Sequence, residues 1–311
     1  MKRRLKPKRT VVPAALIVAA LILVIASKTP RANTIAIAEE SGPAPSIASA
    51  QDVSFKVVER IQPIAFFRDA KKTAKKNADA EDDIKKSGAL VVFTFDDGNE
   101  SDFLLAYPIL KKHGINGTSY INPYDADHEV KHKLSWEQIK LMKSAGWEFG
   151  DHTYKHMDLT KSTPEQIEKS MTQVNEAFMQ NGLGRPDTFA YPYGRFNDDS
   201  LAVVRRYRTQ ARLAFYENEF ADLKGDPYKI ASISADMQKE ERLKSREKLV
   251  DKACAEGAVI VFRAHCLYKE TPGDTGKQVV MTSAALFEKL VDYCVDKGCS
   301  FCTMGELFAK Q

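Results

Sequence analysis

From residue 89 onward, short apolar runs alternate with longer stretches in which apolar residues recur every three or four positions. The runs at 90–95, 117–121, 147–150, 188–191, 211–215, 228–233, 258–262 and 300–303 predict β-strands, because they are short, rich in β-branched or aromatic residues and bounded by polar segments. The stretches 102–113, 135–145, 164–180, 198–207 and 283–297 have the helical period, and Ser135-Trp-Glu-Gln138 has the spacing of a capping box. Seven or eight strand–helix units predict an α/β fold, either a barrel or a doubly wound sheet. Polar residues clustered where strands end favour the barrel, whose chemistry gathers at the carboxyl ends of its strands. No internal repeat is evident.

The first 88 residues follow a different pattern. Lys2, Arg3, Arg4, Lys6, Lys8 and Arg9 precede sixteen uncharged residues, Val11 to Ala26. A basic segment running into an apolar one predicts export, with residues 1–26 a cleaved signal peptide or a retained membrane anchor. Residues 27–88 read as a tether and a charged pre-domain segment, with Pro, Ser and Ala at 41–50 and Lys, Asp and Ala crowded between 68 and 86. The expected location is the cell surface or periplasm. Setting aside those six cations takes the formal charge from +4 to −2. A nearly neutral remainder gives no support for a nucleic-acid partner. At 311 residues and 43% hydrophobic content, the chain can bury one sizeable core, assigned to 89–308. Its five cysteines are an odd number, and most read as small buried hydrophobes; Cys294 with Cys299 or Cys302 is the disulfide considered.

The chemistry is concentrated at strand ends. Asp96 and Asp97 close the first apolar run, and His152 and His156 follow the third at helical i, i+4 spacing. Asp-Asp-Gly alone is a common turn, and two histidines one turn apart are usually structural. In this order, two imidazoles and a carboxylate can hold a metal with a position left open for water, and the second carboxylate is available as a base. Adjacent strand residues point to opposite sides, so one aspartate can face metal and the other substrate. In Tyr191-Pro192-Tyr193-Gly194, proline and glycine fix a tight loop that can aim a backbone N–H at an oxyanion. His265 ends the strand beginning near 258, where it can give a proton to a leaving amine.

These residues resemble the NodB-like polysaccharide deacetylases, carbohydrate esterase family 4, over about two thirds of the chain. Thr94-Phe-Asp-Asp-Gly98 matches the first motif, His152-Thr-x-x-His156 the second, Tyr191-Pro-Tyr-Gly194 the core of the third, and the strand ending at His265 the last. The motif forms are most similar to the branch of biofilm poly-N-acetylglucosamine deacetylases. The resemblance implies a distorted (β/α) barrel and a divalent metal, commonly zinc, held by Asp97, His152 and His156. It makes Asp96 the general base and His265 the general acid, and puts Tyr193 and Pro192 at the oxyanion. The implied partner is an acetylated glycan polymer, with poly-N-acetylglucosamine ahead of peptidoglycan. Two departures stand out: Ala190 replaces the third motif's arginine, and the fourth motif's aspartate and tryptophan are not evident within 215–236. These departures motivate a second reading, a metal-holding glycan-binding module. A two-histidine, one-carboxylate iron oxygenase is a third, disfavoured by the adjacent second aspartate and by the export signal.

Overall fold

The computed structural model describes residues 88–214, 219–269 and 281–308. The expected signal or anchor (1–26) and nearly all of the tether (27–88) lie outside them. Among the described residues no helix is long and apolar enough to cross a membrane.

In chain order the elements are β1 (Leu90–Asp96), a π-helical turn (Asp102–Ala106) running into α1 (Tyr107–Lys111), β2 (Thr118–Ile121), α2 (Pro123–Asp127), α3 (Trp136–Ser144), β3 (Glu148–Asp151) and α4 (Pro164–Gln180). There follow β4 (Thr188–Ala190), α5 (Asp198–Tyr207), β5 (Gln210–Arg212), β6 (Ile233–Ser234), α6 (Glu240–Glu256), β7 (Val259–Ala264), β8 (Cys266–Tyr268), β9 (Met281–Ser283), α7 (Ala284–Asp296), β10 (Ser300–Phe301) and α8 (Met304–Leu307). The main sheet runs β5-β4-β3-β2-β1-β7-β6 with every pair parallel, and β10 joins the first residues of β1. Its two edges are linked by one stretch of chain. Ile230 exchanges backbone hydrogen bonds with β5 (Leu213 N–H to Ile230 C=O, 2.9 Å; Ile230 N–H to Ala211 C=O, 3.0 Å), and Ile233–Ser234 pairs with β7. This is the distorted barrel that the family resemblance implied. The strand expected at 228–233 is reduced to that crossover, because it must leave one edge to reach the other.

Side chains alternate across the barrel wall. Val91, Phe93 and Phe95 of β1 and Ile260 and Phe262 of β7 pack outward against the helices, where Phe93 lies 5.7 Å from Phe262 and 5.5 Å from Phe287. Val92, Val261, Tyr120, Ala190 and Ile230 form a separate inner cluster with Met304 and Leu307 of α8. Gly150 of β3 is required there, since a Cβ would stand 2.5 Å from the Tyr120 ring. The amino end of the barrel is closed by Glu148, which accepts hydrogen bonds from Thr118 and Thr188 (2.9 Å each) and from the Gly305 N–H at the start of α8 (2.7 Å).

The capping box at Ser135 and Gln138 is present (3.3 and 3.0 Å), and helices 164–180 and 198–207 have the expected bounds. The expected helix at 102–113 instead begins as a π turn. Pro108 has no N–H to offer the carbonyl four residues back, and a one-residue bulge re-registers the ladder around it. Helix α6 was not legible: only Leu243, Val250 and Ala253 form its buried stripe, and Arg246 interrupts them. That arginine is itself buried and donates from Nε to the Ser234 carbonyl (2.6 Å), so a polar contact replaces an apolar one. All five cysteines are thiols; Cys302 belongs to the inner cluster, Cys294 and Cys299 to the outer one.

Candidate active site

At the carboxyl end of β1 the chain turns sharply through left-handed conformations at Asp97 (φ 74°) and Gly98 (φ 57°). Aspartate tolerates this region better than most residues, and at Gly98 a Cβ would stand 3.0 Å from the Ile121 side chain. The turn is held by Asn99 Nδ2 donating to the Asp96 carbonyl (3.0 Å) and by Lys133 Nζ donating to the Asp97 carbonyl (2.8 Å). Asp97 Oδ1 thereby lies 3.5 Å from His152 Nε2 and 3.3 Å from His156 Nε2. All three ligand atoms fall within 4.8 Å of one another.

The histidines do not share a helical turn, contrary to the expectation from their spacing. His152 immediately follows β3, and the chain beyond it is a loop with left-handed residues at Thr153 (φ 65°) and His156 (φ 50°). Asp151 accounts for the difference. Its Oδ1 accepts from the Thr153 N–H (2.6 Å), a side-chain-to-backbone turn that competes with helix, while Oδ2 is fixed by Arg208 (3.0 and 2.5 Å). Asn122 Nδ2 donates to the carbonyls of His152 (2.7 Å) and Thr153 (3.0 Å), and Thr153 Oγ1 accepts from the Met157 N–H (2.9 Å).

His152 Nδ1 lies 2.7 Å from the Ala190 carbonyl and must donate to it, which leaves the Nε2 lone pair directed at Asp97. Burial pushes its pKa down to about 4, against the pull of Asp96 and Asp97, so the ring is neutral. A neutral imidazole fixed by a carbonyl, a second imidazole and a carboxylate form a donor set suited to a divalent cation.

Asp96 is buried on the barrel side of this cluster. Its Oδ1 accepts from Arg212 Nη2, and its Oδ2 lies 4.0 Å from His265 Nε2. Burial alone would raise its pKa, but Arg212, His152, His265 and Arg263 outweigh it and bring the carboxyl down to about 2. Across the site, Asp236 Oδ2 accepts from His265 Nδ1 (3.2 Å) and Asp236 Oδ1 from the His265 N–H (3.0 Å). Burial disfavours the charged ring of His265, yet its hydrogen bond to Asp236 and the charges of Asp96 and Asp236 raise its pKa overall. Pro192 is buried, whereas Tyr193 is 54% exposed with φ 59°, and its ring is 4.6 Å from that of His156.

Every residue expected in the site is therefore at one end of the barrel. Two that the sequence reading lacked are there as well. Arg212, on the strand beside Ala190, contacts Asp96, and Asp236, at the end of the 215–236 stretch, contacts His265. Their signals were an arginine inside the apolar run Ala211-Arg-Leu-Ala214 and an aspartate just beyond a strand.

Residues 83–211 match the family model of polysaccharide deacetylase. Over 128 residues the chain is 33% identical to the poly-beta-1,6-N-acetyl-D-glucosamine N-deacetylase of Staphylococcus aureus (strain MRSA252), covering 37% of this chain and 44% of that protein. It is also 33% identical over 124 residues to YxkH of Bacillus subtilis (strain 168), covering 40% of this chain and 44% of that one. The chain thus spans less than half the length of these curated relatives. The Xyl-CE4 domain of a multidomain xylanase from the hindgut metagenome of Trinervitermes trinervoides shares the fold, at TM-score 0.50 and 17% identity over 71% of this chain and 90% of that domain. The resemblance carried by the motifs holds over residues 83–211, the segment that matches the polysaccharide deacetylase model. Arg212, Asp236 and His265 lie beyond the matched segment, so their membership of the site rests on geometry.

Proposed function

We propose that the protein hydrolyses N-acetyl groups on an N-acetylglucosamine-containing polysaccharide, poly-N-acetylglucosamine first and peptidoglycan second. One observation carries the reading: a three-donor cluster (Asp97, His152, His156) stands beside an ionised carboxylate held by arginine and a histidine held by a second carboxylate. Poly-β-1,6-N-acetylglucosamine is favoured because it is the substrate class named for the Staphylococcus aureus relative. A bound divalent cation, for which zinc suits two imidazoles and a carboxylate, would supply polarisation of the acetyl carbonyl and acidification of a water.

The chain's own residues do the rest. Asp96, ionised and oriented by Arg212, takes the proton of the attacking water. The backbone N–H of Tyr193 faces the oxygen of the acetyl carbonyl as negative charge develops there. His265, whose charged form is favoured by Asp236, gives its proton to the departing amine, and the products are acetate and a free glucosamine unit. Arg212 and Asp236 weigh against the binding-module reading, which still rests on the fourth motif's missing tryptophan. Export through residues 1–26, with attachment to the membrane if that segment is retained, is proposed from the sequence pattern alone.

The test is acetate release from poly-β-1,6-N-acetylglucosamine and from peptidoglycan, with zinc added or chelated. Metal-dependent release from the first polymer is expected. Release from neither, by protein that holds the metal, would refute the proposal.

A further inference from the structure

A second cluster of reactive side chains lies at the opposite end of β1 from Asp96. Cys254, in the last turn of α6, has its Sγ 3.7 Å from that of Cys299, which directly precedes β10. Cys294 of α7 is fully buried beside this pair, and its carbonyl accepts from the Cys299 N–H (3.1 Å). The pieces carrying these thiols are held in register. Asp251, one turn before Cys254, accepts from Tyr293 Oη (2.9 Å) and pairs with Lys297 Nζ (2.5 Å), while the Ser300 N–H bonds the Ala89 carbonyl (2.9 Å).

We propose that Cys254 and Cys299 are a disulfide-forming pair, oxidised by a low-molecular-weight disulfide RS–SR, and that the bond staples α6 to β10 at the foot of the barrel. Closing 3.7 Å to the ~2.05 Å of an S–S bond needs a shift of roughly 1.7 Å, within reach of side-chain rotation and small backbone adjustment. Cys254 is partly exposed and Cys299 buried, which sets the order of events. The Cys254 thiolate attacks one sulfur of RS–SR, forming a mixed disulfide and releasing RS⁻. The Cys299 thiolate then attacks Cys254 Sγ, the intramolecular bond forms, and the second RS⁻ leaves. Two protein thiols are oxidised, and one RS–SR is reduced to two RSH. In that second step Cys254 no longer carries a proton, and interaction with Cys294 draws the Cys299 thiol down against burial, which favours the attacking thiolate. Cys294 is a poor competitor for the bond, because the neighbouring Cys299 and burial push its own thiol far up. The staple would close a loop across residues 254–299, a constraint that acts mainly on the unfolded chain.

The experiment takes full-length protein, reduced and then equilibrated with glutathione disulfide. Titratable thiols should fall from the five of the sequence to about three. A non-reducing peptide map should contain one cross-link, between the Cys254 and Cys299 peptides. Tm should rise by roughly 5–15 °C, reversibly on reduction and not in C254S. Five persistent thiols, a stable glutathione adduct on Cys254, a Cys294–Cys299 cross-link, or a correct cross-link without a Tm shift would each overturn the proposal. The wild-type map decides the pairing even if C254S folds poorly.

Discussion

At the scale of single residues, the candidate site pairs each group proposed to transfer a proton with an opposite charge: Asp96 with Arg212, His265 with Asp236. The charges facing His265 are Asp236, Asp96 and Arg263, and the two carboxylates prevail over the arginine and over burial. A reaction that needs the imidazolium is complete below this raised pKa and is lost as pH rises through it. Asp236→Asn removes the hydrogen-bonded carboxylate, so the alkaline limb of kcat should move to lower pH with KM nearly unchanged; an unmoved limb would exclude this role. His265→Ala should slow turnover by about 10²–10⁴-fold while keeping metal, as expected for loss of a general acid. His156→Ala should lose metal and activity together, read by metal analysis of the purified variant, and full metal content there would show the ligands misassigned. Asp96, Asp97, the two histidines and His265 were legible because their spacing repeats a motif. Arg212 and Asp236 were not, because each serves a residue more than twenty positions away in sequence.

Among the elements, strands buried on both faces announced themselves as apolar runs, and well-capped helices were found to the residue. Where a polar contact replaces an apolar one the pattern fails, as at Arg246 in α6 and in the His152–His156 loop. That loop depends on the Asp151–Arg208 pair, which is fully buried; burial raises the Asp151 pKa even with the arginine beside it. Arg208→Met should therefore destabilise the protein by about 3–5 kcal/mol in urea unfolding, because it leaves a buried carboxylate unpaired. It should also weaken metal binding, since Thr153 is no longer positioned between the two ligands. A cost under 1 kcal/mol would mean that Asp151 finds another partner or takes up a proton without strain.

For the whole molecule, the barrel brings residues from β1, β3, β5, β7 and the segment after β6 to one end, and α8 and the cysteine cluster occupy the other. A cation bound only by the folded chain stabilises it by mass action, about 2.7 kcal/mol at a hundredfold excess over Kd. Chelation should then lower Tm by roughly 5–10 °C in the wild type and leave His156→Ala unmoved. Equal shifts in both would place the cation elsewhere. The sequence by itself determined the strand–helix alternation, the family resemblance and the metal-ligand candidates, because local periodicity and short motifs are written within a few consecutive residues. Only the tertiary structure decided that His152 and His156 meet on a loop, that Arg212 orients Asp96, that Asp236 supports His265 and that Cys254 faces Cys299. Each of those depends on which strands lie side by side once the sheet curves, and distance through space between remote segments leaves no local mark in the chain.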